Sequence, residues 1–268
     1  MDADTVLDDR DVPDYRALFV IDMKDYSKAR SVEMPSLRED FDALLAAAFA
    51  RSGLAREWSD PEYYSDTGDG VILGLPIRRM ARLVDPFVEN LNRLLERYEK
   101  QRLASAPPIR ARVSVHVGPL PEVYRGAPIN EVCRFVNSDA ARRGVVRAAE
   151  YGSFTALLLS DEAHRVVVRD GRTERLTEKH FLRVEAEVPD KGFSEVAWLH
   201  VPGVTPSVLA EPDAPPPSDA SSGPAGSPPR PPSTPRAGAA PKYQIGSVGN
   251  VVEHMEGSQT SYQRFGAE

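Results

Sequence analysis

The chain has 268 residues, 41% hydrophobic and 27% charged, an ordinary globular balance with room for one sizeable domain and an appendage. A formal net charge of −7 excludes a general nucleic-acid or membrane-surface binder, which would need a basic face, but not a local basic pocket. Its single cysteine, Cys133, can build neither a disulfide framework nor a zinc site, so a reducing compartment is expected.

Residues 1–14 form an acidic N-terminal arm without the apolar run of a signal peptide. No apolar stretch approaches the roughly 18–20 residues that span a bilayer, and the sequence predicts a cytoplasmic protein. Arg16–Ile21 (RALFVI) is an apolar run of strand length that ends at Asp22. Leu37–Arg51 carries apolar residues at helical spacing. Glu62–Pro76 reads as a hairpin, YYSD and VILGLP around a tight TGDG turn. Met80–Gln101 has Val84, Phe87, Leu91, Leu94 and Leu95 on one stripe, which predicts a single long amphipathic helix. Ile109–Val117 (IRARVSVHV) alternates as a half-buried strand does. A helix from about Ile129 to Glu150 follows, then strands at Thr155–Leu159, Phe181–Val188 and Val196–Val201. The order predicts an α+β domain over residues 15–203, a ferredoxin-like antiparallel sheet with covering helices.

Residues 204–241 hold half of the chain's 24 prolines, with Ala, Ser and Gly between them. Such a segment buries too little surface to offset its chain entropy and is expected to be a disordered, extended linker. Residues 242–268 regain β-forming residues and glycines but are too few to own a core.

Asp22, just past an apolar strand, stands where a cation can be held without burying an unpaired charge. Asp69 lies in the TGDG turn between Gly68 and Gly70, which let backbone and carboxylate approach a ligand closely. In a ferredoxin-like sheet the first strand runs beside that hairpin, so both carboxylates can converge. Paired carboxylates with open positions suit Mg²⁺ or Mn²⁺ holding a polyphosphate. Spacing alone leaves a second reading open, a strand-end cap and an ordinary turn aspartate.

The strings around these residues narrow the choice. FVIDMKDYS resembles the first metal site of class III adenylyl and guanylyl cyclases, in which an apolar strand ends in Asp, an aromatic follows four residues later and Ser or Thr comes next; here these are Asp22, Tyr26 and Ser27. SDTGDGVILGLP resembles the second metal site through Gly68 and Asp69, and RVSVHVGPL resembles the strand leading to a Gly-Pro. GAPINEVCR is similar to the Gly-x-x-Val-Asn-x-x-x-Arg helix start. The resemblance implies two metal ions on Asp22 and Asp69, Asn130 orienting the ribose and Arg134 stabilising the transition state. Asn130 and Arg134 are four apart, so both project from one helical face. Lys191 falls where the family has a phosphate-binding lysine, although Lys is also a common solubilising residue. His116 has no partner at ligand spacing and reads as structural, and Cys133 reads as core rather than nucleophile.

The chain departs from the family where the base is chosen. Those substrate-binding positions hold Ser65 and Val123, and neither makes the charged contacts that discriminate purines. Three accounts stay open: another base, as in cyclases of bacterial anti-phage signalling that make cyclic CMP or cyclic UMP; promiscuity; or nucleotide binding without turnover. The resemblance also implies a head-to-tail homodimer, because the family's site forms between two domains.

In the tail, YQIGSVGN (Tyr243–Asn250) resembles the RIP homotypic interaction motif and its bacterial amyloid-signalling counterparts. Gln244 and Asn250 can stack as amide ladders while Ile245, Val248 and Val251 form a dry interface, although a short unstructured terminus fits equally well. The resulting expectation is a cyclase that makes a 3′,5′-cyclic nucleotide and pyrophosphate in bacterial defence or stress signalling, joined to an effector or adaptor by residues 242–268. Its rival is a catalytically inactive nucleotide sensor that signals through the same tail.

Overall fold

The computed structural model describes residues 11–121 and 123–210. Residues 211–268, which hold most of the expected linker and all of the expected tail, lie outside the described residues, as do the first ten residues of the expected arm.

Strand β1 (Tyr15–Met23) is followed by helices α1 (Met34–Arg51) and α2 (Ala55–Ser59), then by the hairpin strands β2 (Tyr63–Asp66) and β3 (Gly70–Pro76). Helices α3 (Met80–Val84) and α4 (Phe87–Gln101) lead to β4 (Ala111–Pro119). β1 pairs antiparallel with both β3 and β4, and β3 pairs antiparallel with β2. The order β2-β3-β1-β4 is the ferredoxin-like arrangement that the alternation of elements predicts. Helices α5 (Ala127–Asn137) and α6 (Asp139–Glu150) then carry the chain to β5 (Thr155–Ser160), which pairs with β4 in parallel. Helix α7 (Asp161–His164) and the antiparallel pair β6 (Leu182–Val188) and β7 (Phe193–His200) complete a seven-stranded sheet, β2-β3-β1-β4-β5-β7-β6. The antiparallel expectation therefore holds for the first four strands and gives way at β4–β5, where a helical crossover reverses the chain and parallel pairing is the outcome. No described helix is long and apolar enough to cross a membrane.

Alternation along β1 sends its side chains to two different layers. Ala17, Phe19 and Ile21 face α1 and α4, where Phe41, Leu45, Phe49, Phe87, Leu91 and Leu95 are fully buried. Phe19 meets Phe49 and Phe87 edge to face, with centroids 5.6 and 5.3 Å apart, a preferred aromatic geometry. Leu18 and Val20 face the other way, against Val132 and Val136 of α5. Asp22 continues this second set and so belongs to the face that α5 covers.

Two expected helices are each broken. The stripe from Val84 to Leu95 is buried as predicted, but α3 ends at Val84 and α4 begins at Phe87. Pro86 has no N–H to continue a helical ladder, and the buried Asp85 carboxylate turns to accept from the backbone N–H groups of Arg175 (2.6 Å) and Leu176 (3.2 Å). Ser138 interrupts the second helix in extended conformation and caps α6, its hydroxyl accepting from the Ala141 N–H at 3.3 Å. At the other end of the domain, residues 204–210 are not linker. They form helix α8 (Pro206–Leu209), and Val204 and Leu209 are buried beside Ala186 and Val201.

Candidate active site

Asp22 sits near the end of β1, opposite Gly70 on one side and Arg112 on the other. The next residue, Met23, donates its N–H to the Asp69 carbonyl at 2.9 Å, which brings the hairpin turn alongside the end of β1. Gly70 permits this closeness. A Cβ there would lie 1.8 Å from the Ile21 carbonyl oxygen and 2.7 Å from Asp22 Cα. The turn is shaped by Gly68 at φ +86, by the Gly68 N–H donating to Asp66 Oδ1 (2.7 Å), and by Thr67 Oγ1 donating to Asp69 Oδ1 (3.1 Å). Arg38 of α1 holds it from outside, its Nη1 donating to Asp66 Oδ1 and to the Gly68 carbonyl, both at 2.9 Å.

Asp22 is 6% exposed and meets Arg112 in a two-pronged ion pair, Nε to Oδ1 at 2.9 Å and Nη2 to Oδ2 at 2.7 Å. Burial pushes its carboxyl up to about 6 from 3.8; Arg112 pulls the other way, the Asp69 charge raises it further, and Arg142 of α6 lowers it slightly. Two carboxylates are thus close enough to repel one another at one end of the sheet, with the guanidinium groups of Arg112 and Arg142 as counter-charges on Asp22. A folded pKa above the unfolded one contributes stability below pH 3.8 that is lost as pH rises through about 6, a cost of about 3 kcal/mol once the group is ionised. Arg112→Ala removes the main opposing influence, so the Asp22 pKa climbs further. The variant is expected to fall behind the parent by on the order of 2 kcal/mol more at pH 8 than at pH 5. Melting temperatures of both proteins across that range check it, and parallel curves would show that Arg112 does not neutralise Asp22.

The donor set fits one kind of metal binding. Among the described residues no third His, Cys, Asp or Glu joins the two carboxylates, so an all-protein cage is not formed. Mg²⁺ or Mn²⁺ held jointly with a polyphosphate needs only one or two protein carboxylates, the remaining positions being taken by phosphate oxygens and water. Asp22 and Asp69 supply carboxylates of that number, with both Asp22 oxygens already engaged by Arg112.

The other candidate residues fall into two groups elsewhere. Arg134 of α5 is half-buried with its guanidinium 5.7 Å from the Phe193 ring at the start of β7. Lys191 is exposed two residues before Phe193, in the turn between β6 and β7. Asn130 is exposed one helical turn before Arg134. Among the described residues no hydrogen bond or ion pair links these three to Asp22 or Asp69. Ser65 shares a face of β2 with Tyr63, and Val123, 63% exposed, precedes Tyr124. The two tyrosine rings stack at 4.9 Å and 10°, so Ser65 and Val123 flank one aromatic platform.

Sequence reasoning missed Arg112, Arg142 and Arg38. Arg112 left a signal: Arg112, Ser114 and His116 occupy alternate positions of β4, which suggests a solvent-facing side. That side is instead covered by α5; Arg112 pairs with Asp22 of β1, Ser114 and His116 find partners on α5, and His116 Nδ1 is left buried without one. Ser114 Oγ donates to the Val132 carbonyl at 2.8 Å, and His116 Nε2 lies 3.0 Å from Glu131 Oε2. Burial lowers the His116 pKa against the pull of Glu131. Cys133 is half-buried with its thiol pKa raised by burial, the opposite of an activated nucleophile.

No protein-family model matches the sequence, and no curated protein matches it. Several solved structures are similar to the chain at TM-scores below 0.5. An adenylate/guanylate cyclase/hydrolase from Silicibacter pomeroyi is 18% identical, with 71% of this chain and 98% of that one covered at a TM-score of 0.46. A bacterial light-regulated adenylyl cyclase is 11% identical, covering 69% and 88% at 0.48. The guanylate cyclase domain of a Catenaria anguillulae protein, solved in complex with GTP, is 15% identical, covering 70% and 95% at 0.41. Likeness this distant carries no chemistry over to this chain.

Proposed function

We propose that the chain is a nucleotidyl cyclase, converting a nucleoside triphosphate to a 3′,5′-cyclic monophosphate and pyrophosphate. The observation that carries this reading is the convergence of Asp22 and Asp69 at a glycine-flanked sheet end, in a chain whose Gly126–Arg134 segment has the matching Asn and Arg spacing. Bound there, two Mg²⁺ or Mn²⁺ ions would activate the 3′ oxygen and neutralise the departing pyrophosphate. Asp22 and Asp69 anchor the phosphate end, and Arg112 adds a fixed positive charge beside them. Asn130 orients the ribose. Arg134 meets the charge that develops as the 3′ oxygen replaces pyrophosphate at the α phosphorus. Lys191 contributes a further charge to the phosphates. Because Arg134 and Lys191 lie near Phe193 at the β6–β7 turn, and neither they nor Asn130 is bonded to the carboxylates, a head-to-tail homodimer would complete each site with residues of both copies.

Ser65 and Val123 offer the base no charged contact, which favours a pyrimidine or a permissive site. Cytoplasmic defence signalling, with residues 242–268 recruiting an effector, extends the reading. Incubation with ATP, GTP, CTP and UTP plus Mn²⁺, with products identified by mass, tests it. A cyclic monophosphate from at least one of them is expected. The Asp22–Arg112 pair favours a second reading, since the carboxylate is already neutralised: nucleotide binding retained with no product from any of the four would make the chain a sensor.

A further inference from the structure

The end of the sheet opposite Asp69 carries a cavity. β3 leaves the carboxylates at Gly70 and ends at Pro76, on the order of 20 Å along the strand. Beside Pro76 is a recess of about 220 Å³ between that strand end, α2 and the turn that follows β3. Its charges sort into spent and unspent groups. Glu57 is paired with Arg79, whose Nε lies 2.6 Å from Glu57 Oε1, although the N–H is not aligned for a hydrogen bond. Glu62 accepts from Arg16 Nη1 at 2.9 Å and from the Tyr124 hydroxyl at 2.8 Å. Arg56, Arg78 and Asp60 line the same recess and are exposed, and their side chains have no ion pair or hydrogen bond among the described residues.

We propose that this recess binds a small phosphorylated sugar or polyol. Two unspent guanidinium groups at one opening match the oxygens of a phosphate monoester. Asp60 can only accept hydrogen bonds when ionised, so it repels a second anionic group and selects a hydroxyl donor beside the phosphate. Pro61 and Pro76 supply apolar surface for the C–H face of a sugar ring. The volume is below the roughly 300 Å³ at which drug-sized pockets begin, which suits one sugar ring rather than a nucleotide. The Glu57–Arg79 and Glu62–Arg16 pairs keep the remaining carboxylates engaged, so the site needs no rearrangement to present its positive charge.

Calorimetric titration of the full chain with ribose 5-phosphate, without divalent metal, tests the proposal. Saturable binding with Kd on the order of 1 mM or tighter is expected, with ribose and inorganic phosphate each at least about tenfold weaker. The double variant Arg56→Ala/Arg78→Ala is expected to weaken ribose 5-phosphate at least about tenfold with an unchanged melting temperature. Should it fail to fold, Arg56→Gln and Arg78→Gln singly are each expected to weaken binding. Asp69→Asn is expected to bind as the parent does. Absence of saturable binding, equal affinity in the arginine variants, or inorganic phosphate binding as tightly as the sugar phosphate would overturn the proposal. So would loss of binding in Asp69→Asn alone, which would place the ligand at the carboxylates.

Discussion

Asp69→Asn is expected to lower cyclic nucleotide formation by at least about a thousandfold while leaving the fold intact. The substitution keeps the size of the side chain and an oxygen that can accept from Thr67 Oγ1, so the TGDG turn retains its internal bond. Asp69 is only half-buried, and no shift in stability beyond about 1 kcal/mol is expected from the exchange itself. What disappears is a charge. One of the two carboxylates proposed to hold the phosphate end becomes neutral, and the repulsion it exerts on Asp22 goes with it. Two readouts separate the effect from damage: product formation by mass, and the stabilisation against heat that Mn²⁺ plus substrate gives the parent and should no longer give the variant. Turnover retained within tenfold would show that the reaction does not depend on this carboxylate.

Gly70→Ala is expected to be among the most destabilising single substitutions in the domain, at about 3 kcal/mol or more. The added methyl group meets backbone, the Ile21 carbonyl oxygen at 1.8 Å and Asp22 Cα at 2.7 Å, and backbone cannot swing aside as the end of a long side chain does. β1 and β3 would have to separate where Asp22 opposes Gly70, so loss of stability and loss of the site come together. Gly68→Ala is the control. Its position has positive φ but nothing within 4 Å, so only local backbone strain opposes it, on the order of 1 kcal/mol. Denaturant unfolding of both variants should rank Gly70→Ala well below Gly68→Ala. The reverse order would mean that the β1–β3 register is different from the one described.

What the sequence made legible was local. An apolar run of strand length ending in Asp22, and a Gly-Asp-Gly turn between two β-forming stretches, are each readable within a dozen residues, and both carboxylates lie where those signals place them. The helix breaks were legible in part. Pro86 announces one, but the continuous apolar stripe from Val84 to Leu95 outweighed it, because burial on one face does not require one unbroken helix. Ser138 gives little warning, since its capping role appears only once the chain has turned. The polar side of β4 was misread as solvent-facing for a different reason: Arg112, Ser114 and His116 find their partners on β1 and α5, which no window along β4 contains. The packing of Val204 and Leu209 was hidden likewise, by a composition that runs unbroken into the proline-rich stretch.

The grip of Arg38 on the hairpin turn has a mechanical consequence. Its guanidinium ties α1 to both Asp66 and Gly68, so the height of Asp69 above the sheet is inherited from the seating of α1. That seating is set over the next three turns by Phe41, Leu45 and Phe49 of the buried core, Phe49 meeting both Phe19 and Phe87. The aromatic interior therefore works as a gauge block for the carboxylates. A change of side-chain volume there, on the opposite face of the sheet from Asp22, would be passed through one rigid helix and one arginine to the spacing of the two charges.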